Sequence, residues 1–177
     1  MKRKLIVIYG PPLSGKSTLA WELGRSLGDK TAIVSSDQLL QGSISIPDAD
    51  YLAELDMAHV QLRLLVANFL KNGYNVIVEG PFIFEREGAL CSYEADIDQL
   101  IALMRHLTEE ALIVRLTAPE ATLTARAEGQ GAGADAALRI AKAFRPRYGD
   151  RLQEFDASNS SAGEIAASLR EMLAAND

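Results

Sequence analysis

Residues 10–17 read GPPLSGKS and place two glycines, a lysine and a serine at the spacing of a phosphate-binding loop. Backbone N–H groups of such a loop converge on phosphate oxygens at the positive end of a helix dipole. Glycine at both positions permits backbone conformations that side chains would obstruct. Lys16 is expected to reach the β- and γ-phosphates, and the Ser17 hydroxyl is expected to ligate Mg²⁺. The predicted phosphate contacts are Gly10, Pro11, Pro12, Leu13, Ser14, Gly15, Lys16, Ser17 and Thr18.

Two carboxylates could do chemistry beside this loop. Asp37 follows the apolar run 31–35, and Glu79 ends the run 75–79. A carboxylate near Mg²⁺ and a nucleotide can orient a hydroxyl towards the γ-phosphate and accept its proton, so Asp37 is a candidate catalytic and substrate-binding residue. The position of Asp37 also suits a helix N-cap. Glu79 could hold the Mg²⁺ hydration shell, bind the acceptor, or serve as a structural hydrogen-bond acceptor.

The segment after Glu79 has no regular pattern and follows a strand end, where open α/β sheets bind ligands. Phe82 could line an acceptor pocket there, although an aromatic residue beside a strand end also suits the core. Arg86 is a candidate contact for the acceptor. His59 and His106 have no neighbours at metal-ligand spacing, so we expect no zinc site and place both on helix surfaces.

A glycine-rich break, GQGAGA at residues 129–134, separates two predicted helices. Such a break favours a lid with a hinge, which we place over residues 119–145. Lid arginines can stabilise the charge that develops during phosphoryl transfer. Arg126 is therefore the first candidate and Arg139 the second, against the alternative that both are exposed helix residues.

The elements that must position these residues follow from apolar periodicity. The loop lies between the strand-like run 5–9 and a run with helical spacing, which is the context the motif requires. Segments with helical periodicity alternate with apolar runs, which predicts a parallel sheet covered on both faces. We expect an α/β three-layer sandwich with a five-stranded parallel sheet, in a single domain over residues 1–177. The predicted strands are 5–9, 31–35, 75–79, 111–117 and 154–157, and the longest predicted helices are 49–72, 97–107 and 162–174.

Composition limits the class of partner. The chain has 177 residues and a formal net charge of −6, so its long-range field would repel a polyanion. A local basic patch at Arg145, Arg147 and Arg151 is an alternative to ordinary helix-end charges. Cys91 is the single cysteine, which favours a reducing cytoplasm. The first apolar run is too short for a signal core or a membrane span, so we expect a cytoplasmic protein without a membrane partner.

In order along the chain, GPPLSGKS, VSSD at 34–37, VIVEG at 76–80, Arg126 and the DAS sequence at 156–158 resemble the small P-loop kinases. This group includes shikimate and gluconate kinases, chloramphenicol phosphotransferase and the zeta-toxin kinases. The resemblance implies ATP and Mg²⁺ as cofactors, Asp37 as the base for an acceptor hydroxyl, and Arg126 on the lid. It also places Asp156 and Ser158 near the adenine ring. The family's second lid arginine follows closely after the first, whereas here residues 128–131 intervene.

These residues leave four functions open. The first is an ATP-dependent phosphotransferase that acts on a hydroxyl of a small molecule such as an antibiotic, a sugar derivative or a metabolite. A nucleotide kinase with a phosphate acceptor would instead need arginines facing that phosphate, with Arg63 and Arg86 as candidates. A non-catalytic nucleotide-binding switch would bind ATP without transfer. Phosphorylation of polynucleotide 5′ ends is disfavoured by the acidic charge balance.

Overall fold

The computed structural model of the chain describes residues 3–28, 30–43, 51–86, 88–108, 110–131, 133–144, 148 and 152–175. Strands and helices alternate along most of this part of the chain. The strands are β1 (Lys4–Tyr9), β2 (Thr31–Ser35), β3 (Asn75–Gly80), β4 (Ile83–Arg86), β5 (Ala89–Ser92), β6 (Glu110–Thr117) and β7 (Leu152–Asp156). The helices are α1 (Lys16–Ser26), α2 (Ser36–Ser43), α3 (Tyr51–Lys71), α4 (Glu94–Met104), α5 (Glu120–Gly129), α6 (Asp135–Ala143) and α7 (Ala162–Ala175).

Five strands form one parallel sheet in the order β2-β3-β1-β6-β7. In the register of this sheet, Tyr9 pairs with Gly80, and Ser35 pairs with Glu79. The carboxyl ends of β1, β2 and β3 therefore meet at one edge, directly before the phosphate-binding loop and α2. This confirms the predicted α/β fold with a five-stranded parallel sheet.

The sheet is buried on both faces because alternate side chains of each strand point to opposite sides. One face packs against α1 and α7 and includes Ile6, Ile8, Ile77, Leu19 and Leu169. The other face packs against α3 and α4 and includes Leu5, Val7, Val78, Leu62 and Leu100. Helix α1 is held on the first face, so its N-terminus lies at the carboxyl end of β1.

Three elements differ from the sequence prediction, and the last of them is the strand predicted at 154–157, which spans Leu152–Asp156. The other two are a hairpin and a helix. The segment predicted as irregular contains an antiparallel hairpin, β4–β5, in which Phe84 pairs with Cys91. Its strands have four residues each, too few for an alternating pattern to stand out. The predicted helix 97–107 instead spans Glu94–Met104. In both places, contacts with other segments of the chain set where the element begins and ends, and local periodicity does not define these positions.

The expectation that His59 lies on a helix surface is wrong. Its side chain is 1% exposed and its ring stacks on Tyr93 at 4.4 Å between centroids. Its Nδ1 lies 2.9 Å from an oxygen of Asp96, while burial lowers the pKa of His59. The hairpin covers this side of α3, which the isolated helical pattern could not show.

Arg145, Arg147 and Arg151 lie outside the described residues, as does the last residue of the predicted lid segment 119–145. Among the helices described, none combines the length and the apolar character needed to cross a lipid bilayer.

Candidate functional site

The phosphate-binding loop has the strained backbone that its glycines predict. Positive φ angles occur at Gly10 (150°), Leu13 (67°) and Gly15 (97°). A Cβ atom at position 10 would overlap the carbonyl oxygen of Leu116, so only glycine fits there without movement of β6. The loop turns closely enough for Ser14 N–H to donate to the Pro11 carbonyl at 3.3 Å. Its shape is therefore set by the backbone and by the neighbouring strand.

Lys16 is buried at the base of the loop. Its side chain is 6% exposed, and Nζ donates to the Pro11 carbonyl oxygen at 2.8 Å. Burial lowers the pKa of Lys16, while the negative charges of Asp37 and Glu79 oppose this shift. The ammonium group is thus held in place and close to two carboxylates.

Asp37 and Glu79 both interact electrostatically with this lysine. Burial raises the pKa of Asp37, the charge of Lys16 opposes that shift, and the charge of Glu79 adds to it. Glu79 is 3% exposed, and its Oε2 accepts a hydrogen bond from Ser17 Oγ at 3.2 Å. The structure therefore brings together four residues that the sequence singled out from three separate segments.

The β2–α2 junction explains how Asp37 is positioned. Ser35 Oγ accepts a hydrogen bond from the Gln38 backbone N–H at 3.3 Å, so Ser35 caps this helix. The alternative role of Asp37 as the N-cap is not what the structure shows, because Asp37 lies within the first turn of α2. Gly80 at the end of β3 packs against Ser36, and a Cβ at Gly80 would overlap Ser36 Oγ. The end of β3 and the start of α2 are therefore in direct contact, and the Asp37 carboxylate is not used to cap the helix.

A cavity of about 570 Å³ opens above the loop. Asp37 and Arg126 line the same cavity as the phosphate-binding loop, together with residues of α5 and of the segment between β7 and α7. Its lining residues are Pro12, Leu13, Ser14, Gly15, Lys16, Ser17, Thr18, Leu19, Asp37, Leu116, Arg126, Gln130, Ala157, Ser160, Ser161, Ala162 and Ile165. Of the predicted loop contacts, Gly10 and Pro11 lie outside this lining and support it from below.

Arg126 joins two walls of the cavity. Its guanidinium donates to the Leu13 carbonyl at 2.8 Å and to the Ala157 carbonyl at 2.9 Å. The first contact fixes a loop residue with a positive φ angle, and the second reaches the segment after β7. A single side chain of α5 therefore positions both the loop and the opposite wall.

Asp156 and Ser158 form a local turn next to the cavity. An Asp156 oxygen accepts hydrogen bonds from the Ser158 backbone N–H at 2.8 Å and from its hydroxyl at 2.7 Å. These bonds lower the pKa of Asp156. Neither residue is among those that line the cavity, whereas Ala157 and Ser160 are. The side chains of Asp156 and Ser158 therefore shape the turn, while its neighbours face the cavity, and a contact of this turn with the adenine ring stays a prediction.

The predicted acceptor residues are distributed differently. Phe82 has 0% exposure and a φ angle of 54°, and its ring makes an edge contact with His59 at 5.5 Å. The structure thus places Phe82 in the core beside His59. Arg63 pairs with Asp96 at 3.1 Å. The Arg86 side chain lies outside the described residues.

Arg139 lies on α6 and forms an ion pair. Its Nε and one terminal nitrogen donate to the two oxygens of Glu85 at 2.8 and 2.6 Å. This bidentate pair joins α6 to the β4–β5 hairpin, and its hydrogen bonds hold the pKa of Glu85 below its usual range. Arg126 and Arg139 therefore face different partners, although both flank the same glycine-rich break.

Residues 5–149 match the family model AAA_33, described as an AAA domain. The chain belongs to this family. The match covers the phosphate-binding loop, both carboxylates and the two helices of the predicted lid. No curated protein matches the chain significantly.

Solved structures with the same fold cover nearly the whole chain. A Chloroflexus aurantiacus protein provisionally described as a kinase has a TM-score of 0.73 and 20% identity, with 100% of both chains covered. The Mycobacterium tuberculosis APS kinase CysC, solved in complex with AMPPNP and APS, has a TM-score of 0.69 and 16% identity over 97% of this chain and 98% of that one. The Deinococcus radiodurans tunicamycin resistance protein has a TM-score of 0.66 and 16% identity over 97% of this chain and 96% of that one. The chain thus has the fold of small P-loop kinases, as its motifs predicted.

Proposed function

We propose that this protein is an ATP- and Mg²⁺-dependent phosphotransferase that transfers the γ-phosphate to a hydroxyl of a small molecule. The supporting observation is that Asp37 lines the same cavity as Lys16, Ser17 and Arg126. A carboxylate beside a phosphate-binding loop suits the activation of an acceptor hydroxyl. The bound nucleotide and acceptor in the APS kinase structure show that this fold can hold both types of ligand. The single cysteine agrees with action in the cytoplasm.

The polar atoms of the loop also suit a bound nucleotide. Ser14 Oγ is buried and has no hydrogen-bond partner among the described residues, so a phosphate oxygen could satisfy it. The Ser17 hydroxyl and the Glu79 carboxylate supply oxygen atoms, the ligand type that Mg²⁺ prefers. Within the described part of the chain, no cluster of three or more His, Cys, Asp or Glu side chains could hold a metal. Mg²⁺ would accordingly be held by Ser17, with support from Glu79, and by the nucleotide; when bound, it would neutralise phosphate charge.

In the proposed reaction, Asp37 accepts the proton of the acceptor hydroxyl while the hydroxyl oxygen forms a bond to the γ-phosphorus. The bond between the γ-phosphorus and the β,γ-bridging oxygen breaks, and ADP leaves. Lys16 stabilises the charge on the β- and γ-phosphates, and Arg126 supplies positive charge from the lid helix. Arg126 would exchange at least one of its two carbonyl partners for a phosphate oxygen.

The direct test incubates the protein with γ-labelled ATP and a panel of acceptors. The panel contains sugars, antibiotics with free hydroxyls, nucleosides and nucleoside monophosphates. We expect label on a hydroxyl compound and none with the Lys16→Met variant, which separates this enzyme from a contaminating kinase. Transfer only to nucleoside monophosphates would establish the alternative nucleotide kinase. Nucleotide binding without transfer to any member would support the switch.

The nucleotide-kinase alternative has less structural support. Arg63 is already paired with Asp96, and Asp96 also lies beside His59. An arginine paired with a partly buried carboxylate is a poor candidate for binding an acceptor phosphate. If the arginine moved to the phosphate, the carboxylate would lose its basic partner.

A further inference from the structure

A second, smaller cavity lies beside Ser17, between α1 and the edge strand β2. Its volume is about 200 Å³, and we call it the α1–β2 groove. Its lining combines an indole, a carboxylate, an amide and several hydroxyls. The residues are Ser17, Trp21, Thr31, Ile33, Ser35, Gln38 and Glu79.

The groove is lined by regularly spaced residues of β2 and α1. Thr31, Ile33 and Ser35 alternate along β2 and therefore share one face. Trp21 lies one helical turn after Ser17 on α1, and its side chain is 60% exposed. β2 is at the edge of the sheet, so no further strand of the described residues pairs with its outer side. Trp21 therefore presents a large, exposed aromatic side chain at the groove.

The groove also contains a charged group that is deeply buried. Glu79 is only 3% exposed and nevertheless lines the space. Among the described residues that line the groove, none is basic. Lys16 interacts with Glu79 from outside the groove, but it also interacts with Asp37, so one lysine serves two carboxylates and the groove still favours a cation over an anion. A ligand with a positive charge would find both a carboxylate and an indole in the lining, and both side chains favour cations. The hydroxyls and the Gln38 amide would pair with polar groups on the rest of the ligand.

We propose that the α1–β2 groove binds a small ring that carries both hydroxyls and a protonated amine, the chemistry of an amino sugar. The amine lies near Glu79 and the face of Trp21, and the hydroxyls contact Gln38, Ser35 and Thr31. A cavity of this size has room for one ring and not for a nucleotide, which needs the larger cavity above the loop. This binding does not depend on the proposed phosphoryl transfer.

Glu79 connects the groove to the phosphate-binding loop. The carboxylate accepts a hydrogen bond from Ser17, the residue expected to hold Mg²⁺. A cation bound in the groove would interact with the same carboxylate. It would therefore change the affinity of the protein for Mg²⁺ and for nucleotide. By thermodynamic linkage, nucleotide must change the affinity of the groove by the same factor.

Trp21 is the single tryptophan of the chain, so its fluorescence reports directly on the groove. The experiment titrates the full-length protein with glucosamine, glucose and glucuronate at constant pH and ionic strength. We expect a saturable change with glucosamine, binding about tenfold weaker with glucose, and no saturable change with glucuronate. No saturable change with glucosamine would overturn the proposal, and equal binding of glucose would overturn the role of the amine.

Paired charge variants at Gln38 sharpen this test, because this exposed side chain can change charge without disturbing the core. Gln38→Lys should weaken glucosamine binding about three- to tenfold, and Gln38→Glu should strengthen it by a similar factor. Trp21→Ala, measured by calorimetry, should weaken binding about three- to tenfold. Leu64→Ala is the matched control, since Leu64 is 59% exposed on α3, away from the groove. Affinities that are the same in all these variants would show that the fluorescence change does not come from this groove.

Discussion

The two sides of the main cavity are built in different ways. On the loop side, backbone groups set the shape: Gly10, Leu13 and Gly15 have positive φ angles, and Arg126 is bonded to two carbonyl groups. On the carboxylate side, side chains set the shape, because the position of Asp37 depends on a serine cap and on the fit of Gly80 against Ser36. A site made from the backbone can be specified by one short motif. A site made from side-chain contacts requires several distant segments to meet.

The largest effect is expected from Gly10→Ala on the loop side. The added methyl group would overlap the Leu116 carbonyl, and the residue would remain in a backbone region that alanine disfavours. We expect a loss of roughly 2–4 kcal/mol in the free energy of unfolding and no measurable ATP binding. Chemical denaturation and nucleotide calorimetry measure both quantities. Gly163→Ala is the control, because a Cβ there meets no atom within 4 Å; if both variants behave alike, the close approach of the loop to β6 has no role.

Asp37→Asn tests the carboxylate side. The amide cannot accept the hydroxyl proton, so kcat should fall about 10²–10⁴-fold while ATP binding is retained. Transfer by the wild type should rise with pH through the pKa of Asp37, because only the ionised carboxylate accepts a proton. Single-turnover transfer from labelled ATP provides the measurement, with exposed Glu171→Gln as the control. Near-normal transfer by Asp37→Asn would remove Asp37 from the proposed mechanism.

The same variant should increase stability, which would distinguish a functional carboxylate from a structural one. Burial raises the pKa of Asp37 above its ordinary value of 3.8, so the folded protein disfavours the ionised form. This cost appears as pH rises above that value and is complete above the raised pKa. Thermal unfolding should therefore give a higher Tm for Asp37→Asn than for the wild type at pH 7, and equal values near pH 3. A lower Tm at pH 7 would mean that Asp37 stabilises the fold.

The contrast between the two sides also explains which features the sequence could predict. GPPLSGKS predicted the loop, its strand and its helix, because each residue acts through local backbone geometry. Asp37 and Glu79 were found because both follow apolar runs, and parallel strands bring such ends together. The β4–β5 hairpin and the buried position of His59 were missed, since both depend on contacts between segments far apart in the chain. Ser160 carries no motif and is recognised only from the cavity it lines, whereas Gln130 belongs to the glycine-rich break but was not singled out as a site residue.

A smaller effect is expected from Gly80→Ala, which acts on the carboxylate side without touching a charged group. Its methyl group would overlap Ser36 Oγ, and a buried hydroxyl can turn away at moderate cost. We expect a loss of about 1–3 kcal/mol in the free energy of unfolding, with weaker transfer because α2 carries Asp37. The double variant Gly80→Ala/Ser36→Ala removes the overlapping oxygen and should recover most of the stability. Additive losses in the double variant would show that these two residues do not set the position of α2.

The smallest effect is expected at the Glu85–Arg139 pair, which links α6 to the β4–β5 hairpin. Arg139 is 53% exposed, and exposed ion pairs contribute little to stability. If Arg139 only holds the two elements together, Arg139→Gln and Glu85→Gln should lower kcat equally, by about twofold or less. If Arg139 also moves to the phosphates during transfer, Arg139→Gln should cost about a hundredfold in kcat, and Glu85→Gln should cost nothing or raise the rate by releasing the arginine. Because the structure shows both guanidinium contacts occupied by Glu85, we expect equal and small effects, with Arg126 as the arginine that acts on the loop side.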